Sequence, residues 1–549
     1  MEIVSIPLPA GQPLANAYVN RTDERLVQVF GNHPDEASDW QRRAEHLINT
    51  ADQRVRPAEL ASVLRQYNSQ FHQYAEVSAH INLIADGAPV IVGGQQAGLW
   101  TGPLLVIHKA ITILQAAKEA EAKLGRPVVP VFWIAGEDHD WDEANHALLP
   151  DQHRKMMKIA IERPGAVRTS VSRTPLTMEA WQGAIRELAG VLEDSAFKAA
   201  LLERLTSIAE RSETLTASFA HLMSDLFGQY GLVLLDADDP AIRRLEQPFF
   251  RRLIERNDEL EAALLQGAAR VRELGYKEQA DVASGAANLF IFHAEDNGPA
   301  GERTLLYKRD GKFVNRKETV AFSKEELLAR LEHFPASFSN NVLSRPLMQD
   351  YALPVLGAVL GQGEIAYWAL TAEAFRCFNM QMPIIVPRMS FTLVEPAAAK
   401  YMESFKLTFE EVAHRFEAFK AEWLQEKDEW AIGERFAAVK QQFADLYEPI
   451  LQMAGEIEAG LAPLGETNKR KIAEQIDFME KRIKEAHARR FDTMLQRLDR
   501  IAISLWPDEM PQERVWNPLY FMNRYGNDWL AALMAVPYEQ SGGHRLVYL

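Results

Sequence analysis

The strongest constraint on the fold is a run of strand, glycine-rich loop, helix and second strand between residues 88 and 136. The apolar run APVIVGG (88–94) is followed by the loop QQAGLWTG (95–102) and by a helical pattern from about Pro103 to Leu124. The apolar run VVPVFWIAG (128–136) comes next. Two apolar strands joined by a helix are typical of the βαβ unit of a parallel sheet. We therefore expect an α/β core.

Other segments extend this core. Residues 35–85 have the apolar spacing of helices, and further strands are expected at GLVLLD (231–236) and PIIVP (383–387). The runs NLFIFHAED (288–296) and RTLLYKRDGKFV (303–314) indicate a small antiparallel hairpin that turns at Asp310-Gly311. The core strands are thus separated by inserted connecting segments, at roughly residues 150–230 and 270–350.

The character of the chain changes near residue 400, where glycine becomes rare and apolar residues alternate spacings of three and four. This spacing is that of a heptad repeat. Its members are Phe436, Val439, Phe443, Leu446, Ile450, Met453 and Ile457, then Ile472, Ile476, Met479 and Ile483, then Phe491, Met494, Leu498, Ile501 and Leu505. We expect Pro463 and Gly465 to break the pattern and create an antiparallel α-helical coiled coil. It would form a protruding arm or, alternatively, a helical bundle packed on the core.

These patterns divide the chain into three parts. We expect an α/β core over residues 1–399, the helical arm over 400–508, and a segment at 509–549 that returns to the core through QERVWNP (512–518).

Composition excludes several classes of function. The formal net charge is -16, so the acidic surface repels nucleic acid. No apolar stretch reaches the ~18 residues of a membrane span. A single cysteine, Cys377, rules out an intrachain disulfide and a cysteine-based metal site, and it is typical of a reducing compartment. The N-terminal run lacks the pattern of a signal peptide. We expect a cytoplasmic protein without a membrane or nucleic-acid partner.

The first candidate site is the run 93–109, which lies at the carboxyl end of a strand, where open α/β sheets bind ligands. Its glycines permit close approach of a ligand, and a helix start near Thr101 would present free N–H groups to an anion. The alternative is a tight turn with a helix cap. The candidate cofactor-binding residues here are Gly94, Gln95, Gln96, Gly98, Thr101, Gly102 and His108.

The second candidate site is the acidic run FWIAGEDHDWDEANH (132–146), which follows a buried-type strand. Such a cluster could bind a substrate ammonium, hold a divalent ion or supply a general base. His139 and His146 do not have the i, i+4 spacing of a helical zinc site, and we expect no metal. The alternative is helix capping by Asp140 or Asp142. The candidate catalytic residues are Glu137, Asp138, His139 and Asp140, and Asp142 is a candidate for substrate binding.

Two weaker candidates lie further along the chain. In GQGEIAYWA (361–369), Glu364, Tyr367 and Trp368 are expected to line a substrate pocket or, equally, to be a helix packed by its aromatic residues. Upstream, Asn341 and Arg345 are anion-binding candidates. After the strand at 383–387, Arg388 and Ser390 would suit phosphate contacts.

Four of these runs together resemble the bacillithiol-biosynthesis cysteine-adding enzymes: GGQQAGLWTGP, VFWIAGEDHDWDEANH, GQGEIAYWA and PIIVPRMSFT. The resemblance covers nearly the whole chain, including the arm and QERVWNP. It implies a ligase that joins cysteine to glucosaminyl-malate through an amide bond. It also implies a Rossmann-type core related to class I nucleotidyl-transfer enzymes, and a homodimer formed through the coiled coil.

The class I relationship can be followed along two runs. Residues 102–108 (GPLLVIH) are similar to the first class I signature and keep its final histidine, His108, whereas Leu105 stands in place of its first histidine. Residues 388–392 (RMSFT) are similar to the second signature, with Phe391 in place of a lysine.

The implied chemistry assigns a role to each candidate site. ATP would activate the cysteine carboxyl, with its phosphates between the 93–108 loop and Arg388 and Ser390. The acids at 137–142 would hold the cysteine ammonium or deprotonate the sugar amine, and Arg345 would meet the malate carboxylates. The rival hypotheses are a different amide or ester ligase on the same core, and a non-catalytic coiled-coil scaffold.

Overall fold

A computed structural model describes residues 2–6, 11–71, 73–153, 155–293, 301–540 and 542–549. The chain divides into two compact units. We call Met1–Leu393 with Gln512–Leu549 the core unit, and Val394–Pro511 the helical unit. No helix in the described ranges is both long and apolar enough to cross a membrane.

The strands within the described residues form four sheets. They are β1 (Glu2–Ile6), β2 (Val90–Gln95), β3 (Val129–Ile134), β4 (His146–Pro150), β5 (Met156–Ala160), β6 (Val233–Asp236), β7 (Ala286–His293), β8 (Glu302–Arg309), β9 (Lys312–Asn315), β10 (Ala321–Phe322), β11 (Phe338–Asn340), β12 (Val355–Leu360), β13 (Ile384–Pro387), β14 (Ser390–Val394) and β15 (His544–Tyr548).

The helices of the core unit surround these sheets. They are α1 (Pro13–Val19), α2 (Leu26–Phe30), α3 (Ala37–Asn49), α4 (Pro57–Asn68), α5 (Ala75–Ala85), α6 (Leu105–Leu124), α7 (Trp141–Ala144), α8 (Met178–Val191), α9 (Lys198–Glu210), α10 (Leu215–Phe227), α11 (Pro240–Glu255), α12 (Asn257–Glu273), α13 (Lys324–His333), α14 (Arg345–Ala352), α15 (Gln362–Ala369) and α16 (Ala372–Cys377), and, after the helical unit, α23 (Gln512–Val515), α24 (Leu519–Tyr525) and α25 (Asp528–Met534). The helical unit contains α17 (Pro396–Phe405), α18 (Phe409–His414), α19 (Phe416–Glu426), α20 (Ile432–Ile457), α21 (Leu461–Arg489) and α22 (Asp492–Leu505).

The central sheet has the order β13-β12-β2-β3-β6, and every neighbouring pair is parallel. Its strands are almost entirely buried, as a sheet covered by helices on both faces requires. Read in chain order, this is the 3-2-1-4-5 arrangement of a Rossmann-like fold, in which the direction of strand addition reverses between β2 and β12. The expected Rossmann-type parallel sheet is confirmed.

One strand of this sheet is absent from the sequence prediction. No strand was expected between residues 350 and 383, but the segment VLGAVL (355–360) forms β12, next to β2. An apolar run of six residues does not by itself distinguish a buried strand from a buried helix.

The expected antiparallel hairpin is confirmed and is part of a larger insertion. Strands β8 and β9 turn through Asp310 and Gly311, whose φ angles of 50° and 74° are those of a type I′ turn. The insertion is a five-stranded sheet with the order β10-β9-β8-β7-β11. Of the first predicted strand run, residues 294–296 lie outside the described residues.

The helical unit contains the predicted antiparallel pair. Helices α20 and α21 are joined across their lengths by ion pairs of Lys440 with Glu480 at 2.6 Å and of Lys469 with Glu448 at 2.8 Å. The predicted break at Pro463 and Gly465 is wrong, because α21 begins at Leu461 and contains both. Proline is tolerated in a first helical turn, where its missing N–H has no partner to lose.

The apolar seam of this pair is only partly covered within the unit. Ile476 and Ile483 are half-buried, but Met479, which we expected to face α20, is exposed. On α20, Leu446 is 74% exposed and Ile457 is 71% exposed. An apolar row therefore remains open along the two helices.

Candidate functional site

The carboxyl ends of β2, β3, β6, β12 and β13 lie along one edge of the central sheet, because these strands are parallel. The loops at this edge carry most of the candidate residues. They form two groups, which we call the acidic cluster (Gln96, Glu137, Asp138, His139 and Arg303) and the switch-point cluster (Lys109, Arg345, Glu364 and Tyr367).

In the acidic cluster, the loops after β2 and β3 are joined by a hydrogen bond from the Gln96 amide to Asp138 Oδ2. Asp138 Oδ1 accepts the backbone N–H groups of His139 at 2.7 Å and Asp140 at 3.2 Å. Arg303 Nη1 lies 3.0 Å from His139 Nδ1 and 4.0 Å from Asp138 Oδ1. The second candidate run is thus held in a fixed arrangement by a residue of β8.

The charges of this cluster differ from one carboxyl to the next. Burial raises the pKa of Glu137, and the charges of Arg243 and Arg303 offset only part of this effect; its Oε2 is buried and has no partner among the described residues. Burial also acts to raise the pKa of Asp138, but the Gln96 hydrogen bond and the Arg303 charge outweigh it and lower the pKa. Asp138 is therefore the more acidic of the two carboxyls, and it is ionised at neutral pH.

The switch-point cluster lies where β2 and β12 meet. Lys109 is buried on α6, and its Nζ donates to Gly94 O at 2.6 Å, Gln95 Oε1 at 3.0 Å and Glu364 Oε2 at 2.6 Å. Glu364 also accepts the backbone N–H of Gly361 at 2.7 Å, which fixes the start of α15. Burial acts to raise the pKa of Glu364, but the Lys109 charge and the hydrogen bonds from Lys109 and Gly361 together outweigh it, so the net shift is downward.

Arg345 and Tyr367 complete the switch-point cluster. Arg345 Nη2 donates to the Tyr367 hydroxyl at 2.7 Å, and Nη1 donates to Gln349 Oε1 at 2.8 Å. A guanidinium has five N–H groups, so donors remain for a ligand. The structure thus places Arg345 in contact with Tyr367, whereas Glu364 contacts Lys109; their roles in substrate binding stay predictions.

Three other candidates are corrected. His108, which we expected near phosphates, is fully buried and its Nδ1 lies 2.7 Å from Glu513 Oε2. Arg388 forms a two-pronged pair with the same carboxylate, at 2.8 Å and 2.6 Å. Ser390 is buried with its hydroxyl 2.8 Å from His544 Nδ1. The groups expected to contact phosphates are engaged inside the core unit instead.

The expected anion site at the start of α6 is corrected as well. The helix begins at Leu105, and the preceding Leu104 N–H donates to Trp516 O at 2.8 Å. Before it, Trp100, Thr101 and Gly102 all have positive φ angles. The Asn517 amide donates to the Leu99, Trp100 and Gly102 carbonyls. The returning segment 512–518 thus covers the helix start that was expected to bind phosphate, and Thr101 is buried.

The glycines of this loop serve packing. A Cβ on Gly94 would lie 2.8 Å from Trp133 O on the adjacent strand β3, and one on Gly98 would lie 2.8 Å from the Gly102 Cα. These contacts with the protein's own atoms explain why glycine occupies both positions, and no bound ligand is needed to explain it. A side chain at Gly94 would therefore collide with the backbone of β3.

Three further candidates have structural roles, and a fourth lies apart from the acidic cluster. Trp368 is fully buried against Phe375 in the hydrophobic core. Asn341 Oδ1 accepts the N–H groups of Leu343 and Ser344 ahead of α14. Asp140 caps α7, which was one of the two alternatives for it. Asp142 is exposed on the same helix, and no described contact brings it to the acidic cluster.

Sequence reasoning missed three residues that organise the site. Arg303 lies in an inserted strand, far from the acidic run in sequence. Glu513 lies in QERVWNP and contacts both His108 and Arg388 inside the core unit. Lys109 was noted only as one of two side chains that could face the site. Among the described residues, no group of three or more His, Cys, Asp or Glu side chains could hold a metal ion.

Comparison with known proteins relates the whole chain to one family. Residues 1–389 match the family model "Bacillithiol biosynthesis BshC, N-terminal Rossmann-like domain", and residues 391–549 match "Bacillithiol biosynthesis BshC, C-terminal coiled-coil domain". The chain is 36% identical over 556 residues to a relative from Geobacillus sp. (strain WCH70) and 35% identical over 551 residues to one from Bacillus cytotoxicus. Both alignments cover 100% of each chain, and both relatives carry the name "Putative cysteine ligase BshC".

Proposed function

Because the chain belongs to the bacillithiol-biosynthesis BshC family, we propose that it is a ligase that joins L-cysteine to glucosaminyl-malate through an amide bond. The observation that carries the proposal is the convergence of an ionised carboxylate, Asp138, and a partly free guanidinium, Arg345, along the carboxyl edge of the sheet. A substrate pair with an ammonium and several carboxylates needs both kinds of group.

Asp138 is suited to hold the cysteine ammonium. A carboxylate has about four lone-pair positions, and Asp138 uses three of them for Gln96 and two backbone N–H groups. The remaining position can accept an ammonium N–H. Arg345 is suited to the malate carboxylates, because its planar fork matches carboxylate geometry. Glu137, whose pKa is raised by burial, is the carboxyl suited to take a proton from the attacking amine.

The energy source is proposed to be ATP, since a carboxylate is a poor electrophile and an amide requires an activated acyl group. The residues at the start of α6 do not fit nucleotide phosphates: Trp516 and Asn517 cover the helix start, and Glu513 engages His108 and Arg388. The start of α6 is therefore not the proposed nucleotide site.

The test is product formation by the purified full chain. Cysteine, glucosaminyl-malate and ATP are incubated with it, and the cysteinyl amide is measured by mass spectrometry, with ATP omitted in a parallel reaction. We expect product only in the complete mixture. Product from other sugar amines at a similar kcat/KM would favour the rival ligase, and no product from any amine would favour the scaffold. Product without ATP would refute the proposed energy source alone.

Two further properties remain proposals. The open apolar row on α20 and α21 supports a homodimer, because a second copy would cover it by two-fold symmetry. The single cysteine supports a cytoplasmic location.

A further inference from the structure

His139 is the one imidazole of the acidic cluster, and its two ring nitrogens have different surroundings. Nδ1 faces Arg303 at 3.0 Å. Nε2 has no hydrogen-bond partner among the described residues, and the side chain is one-third exposed. Nε2 is therefore the ring nitrogen that no described protein group engages, and it is the one left for a substrate.

Arg303 cannot rotate away from this contact without losing several others. Its Nε donates to Ser339 Oγ at 3.0 Å, and its Nη2 donates to Asn340 O at 2.8 Å. The guanidinium also lies 3.9 Å from the centre of the Phe290 ring. A group held on three sides presents its Nη1–H in one direction, towards His139 Nδ1.

The chemistry of a guanidinium decides the tautomer. It is always charged and only donates, so Nδ1 must be the accepting nitrogen and the neutral ring carries its proton on Nε2. The other group near Nδ1 is Asp138 Oδ1. This oxygen only accepts hydrogen bonds, so a bond to it would favour a proton on Nδ1. It lies 3.6 Å from Nδ1, beyond hydrogen-bond distance, and already accepts two backbone N–H groups.

The other charged groups around the ring do not reverse this assignment. Arg163 donates to the His139 carbonyl at 2.7 Å, not to the ring, and Asp140 is turned to cap α7. Burial and the Arg303 charge together lower the pKa of His139, and the nearby aspartates offset only part of this effect.

We propose that Arg303 is a positioning residue that fixes His139 as the neutral Nε2–H tautomer, so that His139 is a hydrogen-bond donor to the substrate acyl oxygen and not a general base. This rests on the proposed amide-forming function. When the amine forms the new C–N bond, the π electron pair of the activated cysteine carbonyl moves onto oxygen, and a fixed N–H donor stabilises that charge without giving up its proton. The carbonyl then re-forms as the C–O bond to the phosphoryl activating group breaks, and that group leaves with the bonding electron pair. Proton removal from the amine is left to a carboxyl group.

Nitrogen NMR on the full chain with 15N-labelled histidine tests the tautomer directly. The His139 signals are assigned by their loss in H139N. At neutral pH we expect a non-protonated Nδ1 and a protonated Nε2 in the unmodified protein. R163M is the matched control, because Arg163 contacts the backbone carbonyl of His139 and not its ring. This variant should keep the same NMR pattern. R303M should lose it.

A protonated Nδ1 in the unmodified protein, or an unchanged pattern in R303M, would overturn the proposal. The unmodified spectrum decides the tautomer even where R303M does not fold, and R303K is then the second variant for the role of Arg303. In turnover, we expect H139A and R303M to lose about 100-fold in kcat, with R163M nearly unchanged. A chain that makes no cysteinyl amide would refute the function while leaving the NMR result valid.

Discussion

Replacing Lys109 tests how the switch-point cluster is held together. Lys109→Met removes a buried charge whose Nζ, with a side chain only 1% exposed, donates three hydrogen bonds. Its loss leaves the Glu364 carboxylate and the Gly94 carbonyl without their partner. Breaking a buried ion pair on one side costs about 3–5 kcal/mol. Glu364 is 22% exposed and keeps the Gly361 N–H, so we expect the lower end, about 3 kcal/mol.

The assay is urea unfolding of the full chain followed by tryptophan fluorescence, with midpoints compared at constant slope. Lys118→Met is the matched control, because Lys118 is exposed on the same helix, and its cost should stay within about 0.5 kcal/mol. The double variant Lys109→Met/Glu364→Gln should recover about 1–2 kcal/mol, since the two residues share one interaction. A cost below about 1 kcal/mol for Lys109→Met, or one equal to that of Lys118→Met, would refute the reasoning.

Three further predictions concern pH, the acidic cluster and assembly. Burial lowers the pKa of His544 from 6.5 to about 4, so as the pH falls the unfolded chain is protonated at this residue before the folded chain is. The difference in free energy of unfolding between the unmodified protein and His544→Asn should therefore shrink by about 3 kcal/mol from pH 6.5 to 4. A difference that stays constant over this range would contradict the prediction. Asp138→Asn should lower kcat/KM for cysteine at least tenfold, with an unchanged far-ultraviolet circular dichroism spectrum, whereas Asp86→Asn, at the opposite edge of the sheet, should retain full activity. Ile450→Glu with Met479→Glu should convert a dimer to a monomer in sedimentation, and a monomeric unmodified protein would exclude the dimer.

Features of the fold that depend on residues close together in the sequence could be predicted, and features that depend on distant residues could not. The heptad positions and the βαβ unit were predicted because their signals are local repeats of apolar residues. Strand β12 was missed because the six apolar residues of VLGAVL fit a buried helix as well as a buried strand. One of its two neighbours, β2, lies more than 250 residues earlier, and nothing within the segment indicates that partner.

The candidate site shows the same division. The acidic run was found because its residues are consecutive, but their charges are set by Gln96 and Arg303, which no local pattern connects to them. Conversely, His108 and Arg388 look like ligand-binding groups in sequence. Only the fold reveals that Glu513 contacts both of them inside the core unit.

The Asn517 amide, which holds the left-handed loop before α6, has a consequence for how the chain matures. It is separated from Gly102 by 415 residues, so a ribosome that adds about 5–20 residues per second needs roughly 20–80 s to supply it. Until then the loop lacks the partner that stabilises its positive φ angles, and the start of α6 stays uncovered. A truncated or stalled product would carry every residue of both clusters and still lack this stabilisation, so completion of the last helices is also the step that completes the site.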